Sequence, residues 1–541
     1  MLLTLIATGA ALAPLFLAFR AYRRAAGKRL PLPPGPPESS LMLGNVADIP
    51  RPPAEWETYH ALSKRYGPVM HLRAVDRHLV ILDTMQAAVD LLEKRGAMYS
   101  DRTRLPMLGE LMGYEWNLTL MGYGDSWRLH RRALHQHLHE GAVPRLHAHF
   151  EHTNTRFLQA LVGAPGGWWD LTHWLAGANI MSAVYGKDDT QLHDDPWVKL
   201  SEEVVRNAND LALGGFHLVD MFPFLKYVPA WLPGAAFKGT ALRARALQLR
   251  ARDEPVEWVK AQLDAGRASP SITSALMDAE VDGAPVPEEV IKNCTGIAYI
   301  AGADTTLATL RSFVLAMVRS PDIQRKAQAE LDRVLPVDRL PSLADRSAQR
   351  LPYLEAVLRE TYRKYPPVPL GIPHQSTQEE VYDGMRLPRG AVLIANAWAM
   401  LHDEHISKTG KHSHQKRPLL SQSEAALRAL RALKLMYPEP EVFRPERFLT
   451  AGALDKDVMD PRAAVFGFGR RICPGRHFAD AEIWLMMATL LHAFDILPAK
   501  DGIYPAEKLK GGIVVAPMEF ECRIVPRSAA KRALVINSLD A

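Results

Sequence analysis

The spacing of apolar positions changes character three times along the chain. From Leu2 to Phe19 they run almost unbroken, interrupted only by Thr4, Thr8, Gly9 and Pro14. At about 1.5 Å of helical rise per residue, such a run matches the hydrocarbon core of a bilayer. Arg20, Arg23, Arg24, Lys28 and Arg29 follow it. A secretory signal carries its charge ahead of the apolar core, so this order predicts a retained single-pass anchor with the rest of the chain in the cytosol. A cleaved signal peptide is the competing reading. Next, Pro31, Pro33, Pro34, Gly35, Pro36 and Pro37 predict a stiff, extended hinge.

Beyond the hinge, short apolar pieces at Val69–Leu72 and Leu79–Leu82 predict strands. Long helical patterns dominate the remainder, among them Glu288 to Ser320 and Arg476 to His492. No repeat period is present. The expectation is a mainly α protein with a small β subdomain on its N-terminal side. Its parts are an anchor (1–20), a basic and proline-rich hinge (21–38), one large domain (39–527) and a tail (528–541).

Bulk numbers exclude some classes. Apolar residues make up 48% and charged residues 23% of the chain, as in ordinary globular proteins. The net charge of +5 allows a basic docking face, but no Lys/Arg block or aromatic-basic module points to nucleic acid. Three cysteines in 541 residues argue against a disulfide scaffold, and Cys294 and Cys522 read as buried spectators.

The third cysteine is different. It lies in Phe466-Gly467-Phe468-Gly469-Arg470-Arg471-Ile472-Cys473-Pro474-Gly475, a glycine-rich loop opening a helix. A fixed frame of this kind arises by chance with odds on the order of 10⁻⁴. A thiol ligates metal as thiolate, so positive charge, backbone N–H groups or a helix N-terminus must lower its pKa. Gly475 in a left-handed conformation and the helix from Arg476 are expected to supply that field. A buried free cysteine on a turn is the bland alternative.

The loop resembles the heme-binding segment of the cytochrome P450 family, most like fungal microsomal members, and the resemblance covers about residues 33 to 527. It implies the cytochrome P450 fold, heme b held by the Cys473 thiolate, and NADPH-driven monooxygenation of a lipophilic small molecule with O2. Thiolate ligation favours O–O cleavage over other heme chemistry. Two further motifs stand in the family's order. Glu360-Thr361-Tyr362-Arg363 places two charges on one helix face, and Pro445-Glu446-Arg447-Phe448 follows. The resemblance makes Glu360, Arg363 and Arg447 a buried structural ion cluster.

Ala301-Gly302-Ala303-Asp304-Thr305-Thr306 lies in the apolar helix, where small residues let it approach the heme. The resemblance assigns Thr305 to hydrogen-bond the dioxygen being reduced and Asp304 to a proton relay. It places Trp127, Arg131, His374 and Arg471 at the heme propionates, and Phe466 beside the thiolate. An amphipathic surface helix explains Trp127 and Arg131 equally well. Met107, Leu111, Phe216, Ile297, Val368 and Ile513 fall in stretches that contact substrate in the family. Arg128, Arg131, Arg132 and Arg476 make a basic face for an acidic NADPH-cytochrome P450 reductase. The implied location is the endoplasmic reticulum membrane. Rival readings are a thiolate-heme isomerase or dehydratase working without O2, and an inactive heme binder.

One segment departs from the family pattern. Residues 405–436 separate Ala399–Glu404 from Tyr437–Pro440, which are nearly contiguous in the family. They are either a surface insertion or translated non-coding sequence. Structureless loops of that length are uncommon inside compact domains.

Overall fold

The computed structural model describes residues 30–402 and 437–538, apart from 189, 193, 194, 214–216 and 348. The expected anchor, the 405–436 insertion and Phe216 lie outside the described residues. Among the described residues, no helix is long and apolar enough to cross a membrane.

The longer helices are α1 (Glu55–Tyr66), α2 (Asp125–Leu138), α3 (His147–Gly163), α4 (Trp168–Tyr185), α5 (Pro196–Leu213) and α6 (Ala236–Asp264). They continue with α7 (Glu288–Arg319), α8 (Pro321–Val334), α9 (Pro352–Lys364), α10 (Arg476–Ala493) and α11 (Ala529–Asn537). The helix expected over Glu288–Ser320 forms as α7 and organises the rest. Every residue from Thr306 to Val318 is buried. A helix apolar all round has no solvent face to offer and is enclosed by others. Here α4, α6 and α10 surround it. Helix α9 starts at Pro352, where a missing N–H costs nothing. Its free N–H groups at Tyr353 and Leu354 each donate to the Glu330 carboxylate of α8 at 2.9 Å.

The sheet is β1 (Val69–Ala74), β2 (Arg77–Leu82), β3 (His374–Gln375) and β4 (Val392–Ala395), ordered β1-β2-β4-β3. The two predicted strands pair antiparallel, Val69 opposite Leu82, while β4 runs parallel to β2 with Leu79 opposite Val392. The β region is therefore not confined to the N-terminal side. An all-buried Val-Leu-Ile-Ala strand from beyond α9 completes it. A second pair, β5 (Phe494–Pro498) with β6 (Cys522–Pro526), follows α10 directly.

Two expected boundaries move. The described part of the expected hinge packs onto the body, against β1 and the 385–387 segment. The Pro34 carbonyl accepts from His71 N at 2.8 Å and the Pro31 carbonyl from Arg386 N at 2.7 Å. The Asn45 amide donates to the carbonyls of Pro36 and Pro37. Extended proline-rich backbone leaves its carbonyls free, and β1, the Arg386 backbone and the Asn45 side chain take them. The tail is likewise part of the body. Helix α11 is capped by the Ser528 hydroxyl and receives a hydrogen bond from Gln159 of α3 at its Ile536 carbonyl.

Docking of the proline segment rests on Gly35, where a Cβ would stand 1.9 Å from the His71 carbonyl oxygen. Gly35→Ala is expected to destabilise the protein by about 1–3 kcal/mol and to expose residues 30–40 to protease. Denaturant unfolding together with limited proteolysis measures both.

Candidate active site

The cysteine loop is closed by its own backbone, Cys473 N donating to the Phe466 carbonyl at 2.8 Å. Its left-handed residues are Gly467 (φ 78) and Gly469 (φ 56). At Gly469 a Cβ would also meet the Leu92 carbonyl oxygen at 2.1 Å. Gly475, expected to be left-handed, has φ −86 and caps α10 directly. The helix start faces the sulfur all the same. The Gly475 N–H, Arg131 and Arg476 all pull the thiol pKa down, but burial outweighs them and pushes it up. The expected thiolate field is present, yet the protein alone does not complete it. The Phe466 ring packs edge-on against Tyr362, with centroids 5.5 Å apart.

Two ion networks fix this loop. In the first, Arg363 grips Glu360 with two bonds, at 2.8 and 3.0 Å, and Arg447 Nε reaches the same carboxylate at 3.1 Å. Glu360 and Arg363 are fully buried. Two guanidiniums against one carboxylate leave a positive surplus. Backbone carbonyls absorb it: Leu401 and Pro440 accept from Arg363, and Pro438, Glu439 and Val442 from Arg447. The second network escaped the sequence reading because its members are scattered. Arg462 bonds Asp480 at 2.6 Å, Glu355 at 2.6 Å and Asp460 at 2.9 Å. Arg346 bonds Asp480 at 2.6 Å, and Arg359 bonds Asp460 at 3.3 Å. Burial pushes the Asp480 carboxyl up, but Arg462 and Arg346 prevail and hold it below its ordinary range. Together they tie α9, α10 and the approach to the cysteine loop into one body.

Part-way along its length, α7 opens. Ala301 is exposed and Gly302 to Thr305 are partly accessible, although the helix is buried on either side. Residues inside a protein keep accessible surface only where they line a cavity. At Gly302 a Cβ would lie 2.5 Å from Ile180, so this small residue also lets α4 pack close against α7. The Thr305 hydroxyl donates to the Ala301 carbonyl at 3.0 Å. Burial raises the Asp304 carboxyl pKa, against Arg311 and Lys510. Just behind, α10 meets α7. Glu482, with 1% exposure, accepts from the Asn179 amide at 2.7 Å, and the Thr306 hydroxyl acts on it. Burial pushes this carboxyl up to about 8, so it is protonated at neutral pH.

A basic rim gathers Arg102, Arg131 and Arg471. The Trp127 indole N–H is buried without a partner. Arg471, stacked 4.5 Å over that indole, spends its fork on the carbonyls of Ser100, Leu118 and Met121. His374 donates to the Tyr99 carbonyl at 2.7 Å. Burial, Arg102 and Arg471 press its pKa down to about 3, so the expected basic partner is a neutral one here. Arg102, which no motif announced, is held by the carbonyls of Thr119, Ile372 and Pro373. Arg131 lies within electrostatic reach of Cys473. Of the expected substrate residues, Met107 is 1% exposed and packs into the main core, offering no surface to a ligand. Ile297 is buried, and Leu111, Val368 and Ile513 keep exposed surface.

The model of the family described as Cytochrome P450 matches residues 33–408 and 427–523. The chain belongs to the cytochrome P450 family. It is 34% identical over 527 residues to Cytochrome P450 monooxygenase COX1 of Coprinopsis cinerea, covering 95% of each chain. It is 38% identical to Cytochrome P450 monooxygenase ple1 of Rhodocybe pseudopiperita, covering 93% of this chain and 90% of that one. It is 36% identical to Cytochrome P450 monooxygenase 208 of Postia placenta, covering 98% and 96%. This P450 is thus a monooxygenase and an oxidoreductase with a thiolate-ligated heme. The comparisons favour neither the isomerase nor the inactive-binder reading.

The rim suits that group. Among the described residues, Arg102, Arg131 and Arg471 have no carboxylate within ion-pair reach, yet they influence one another electrostatically. Converging guanidiniums with a spare indole N–H are what two propionates require.

Glu482 has a consequence for stability. Its carboxyl is raised in the folded state from about 4.5 to about 8, so the native protein binds the extra proton in between. That contribution is fully present below the lower value and is lost as pH rises through the upper one. Glu482→Gln, which mimics the protonated acid, is expected to flatten this decline. Urea midpoints measured from pH 5 to pH 9 on both proteins check it.

Proposed function

We propose that this P450 inserts one oxygen atom of O2 into a lipophilic small molecule at the membrane of the endoplasmic reticulum. In this reading the Cys473 thiolate would hold the heme iron, and NADPH-cytochrome P450 reductase supplies the electrons. The observation that carries it is the setting of Cys473, in a loop closed by its own backbone at the start of α10, with the Gly475 N–H, Arg131 and Arg476 all acting on its sulfur. Bound heme supplies the activation of O2; the side chains supply placement and protons.

Arg102, Trp127, Arg131, His374 and Arg471 hold the propionate edge, and Phe466 shields the sulfur. A proton taken up at the Asp304 carboxylate passes through water to Thr305 Oγ1, whose hydroxyl turns from the Ala301 carbonyl into the cavity. Leu111, Ile297, Val368 and Ile513 favour an apolar substrate. Of the expected basic face, Arg128 and Arg132 are paired with the exposed Asp125 and Asp282, which leaves Arg476 beside the loop to meet the reductase.

Membrane docking is supported by an apolar patch. Leu218, Phe224, Tyr227 and Trp231 are 63%, 65%, 76% and 80% exposed, and Leu41, Met42 and Leu43 are about half exposed. The turn between β1 and β2 joins the two groups. Arg77 donates to the Asp220 carbonyl at 2.6 Å, and Val75 N to the Leu43 carbonyl at 3.0 Å. Exposed Trp and Tyr beside aliphatic residues suit a lipid interface.

Cys473→Ser is expected to abolish the reduced carbon-monoxide difference band of a thiolate-ligated heme and to reduce NADPH-driven product formation to background; retention of the band removes the proposal. A chain beginning at residue 30 is expected to bind phosphatidylcholine vesicles. Replacing Phe224, Tyr227 and Trp231 together by Ser should weaken that binding at least tenfold in a flotation assay.

A further inference from the structure

Arg311 is the single charged residue of α7 between Asp304 and Arg319, and it is 7% exposed. A guanidinium in a helix core needs compensation, and this one has only neutral contacts. It stands 3.6 Å over the Trp169 ring centroid, donates to the Trp169 carbonyl at 2.8 Å and approaches the Thr172 hydroxyl at 3.3 Å. Among the described residues, no carboxylate comes within ion-pair reach. Seven residues, two helical turns, separate it from Asp304, so both lie on the same face of α7.

The charges around it have an order. Asp304 acts most strongly on Arg311, followed by Asp170 of α4, Glu202 of α5 and Glu519. Asp170 and Glu519 are exposed, so acids at the surface as well as the cavity acid act on Arg311. His173, bonded to Glu202 at 3.2 Å, is driven neutral by burial and by Arg311, to a pKa of about 4. Burial lowers Arg311 itself to about 10, leaving it charged at neutral pH. From the other side, Arg311 leads the opposition to burial at Asp304, with the exposed Lys510 behind it.

We propose that Arg311 is a positioning residue for proton delivery: parked on Trp169, two turns along the same face of α7, it is the counter-charge to the Asp304 carboxyl that takes protons from solvent. This rests on the reading of Asp304 as the relay acid. Without Arg311, burial acts on Asp304 with little opposition. The carboxyl then holds its proton to higher pH and stops reloading Thr305. A lysine keeps the charge and loses only the fork.

The test compares the heme-loaded full chain with Asp304→Asn, Arg311→Met, Arg311→Lys and the Asp304→Asn/Arg311→Met double variant. Infrared difference spectra against Asp304→Asn read the carboxylic acid C=O stretch of this one side chain. At neutral pH the band is expected to be absent in the parent protein and in Arg311→Lys, present in Arg311→Met and absent in the double variant. A protonated band in the parent, or none in Arg311→Met, overturns the proposal; should Arg311→Met not fold, the parent spectrum still decides. In turnover, Arg311→Met is expected to release severalfold more peroxide per NADPH, with its coupling optimum moved to higher pH. If the infrared pattern holds but Asp304→Asn couples normally, the relay reading fails while the Arg311–Asp304 link stands.

Discussion

One buried carboxylate holds the molecule in register. Glu360 receives both Arg363 and Arg447, and the surplus positive charge is spread over five backbone carbonyls. Such a cluster contributes little net stability over an apolar core of the same volume, yet losing one partner costs about 3–5 kcal/mol. It therefore acts more as a specification than as a source of free energy. Only one arrangement of α9 and the 437–447 segment satisfies every donor. The cysteine loop, further along the same chain, inherits that placement through Arg462 and Asp480.

Within this frame, burial sets the chemistry. It drives Cys473 and Glu482 toward their protonated forms and His374 toward its neutral one. Each shift disfavours charge in a dry interior. Burial lowers the guanidiniums of the rim as well, Arg102 to about 9 and Arg471 to about 10, yet they stay charged at neutral pH and form a positive collar with no carboxylate in ion-pair reach among the described residues. An anionic, metal-bearing ring suits both ends of the site, with its propionates for the collar and its iron for the thiolate.

Much of this was legible where function is written in short spacings. The Cys473 loop, the Glu360–Arg363 pair and the apolar run of α7 each occupy a few consecutive turns. Local geometry then leaves little choice. What escaped was whatever the chain assembles from distant parts. Strand β4 joins β2 across roughly three hundred residues. Arg102 carries no motif, and its role emerges only where His374 and Arg471 arrive beside it. The prolines ahead of Ser39 looked like a spacer because composition reports stiffness and not the partner that receives it. Gly475 looked left-handed for a similar reason: a glycine before a helix permits that geometry without requiring it.

Arg363 has a further meaning for the length of the chain. Its two terminal nitrogens bind the carbonyls of Leu401 and Pro440, on opposite sides of the 403–436 stretch. Departure and return therefore share one anchor point, like the neck of a purse. A shorter transcript that joined these flanks directly would find the same neck already drawn closed.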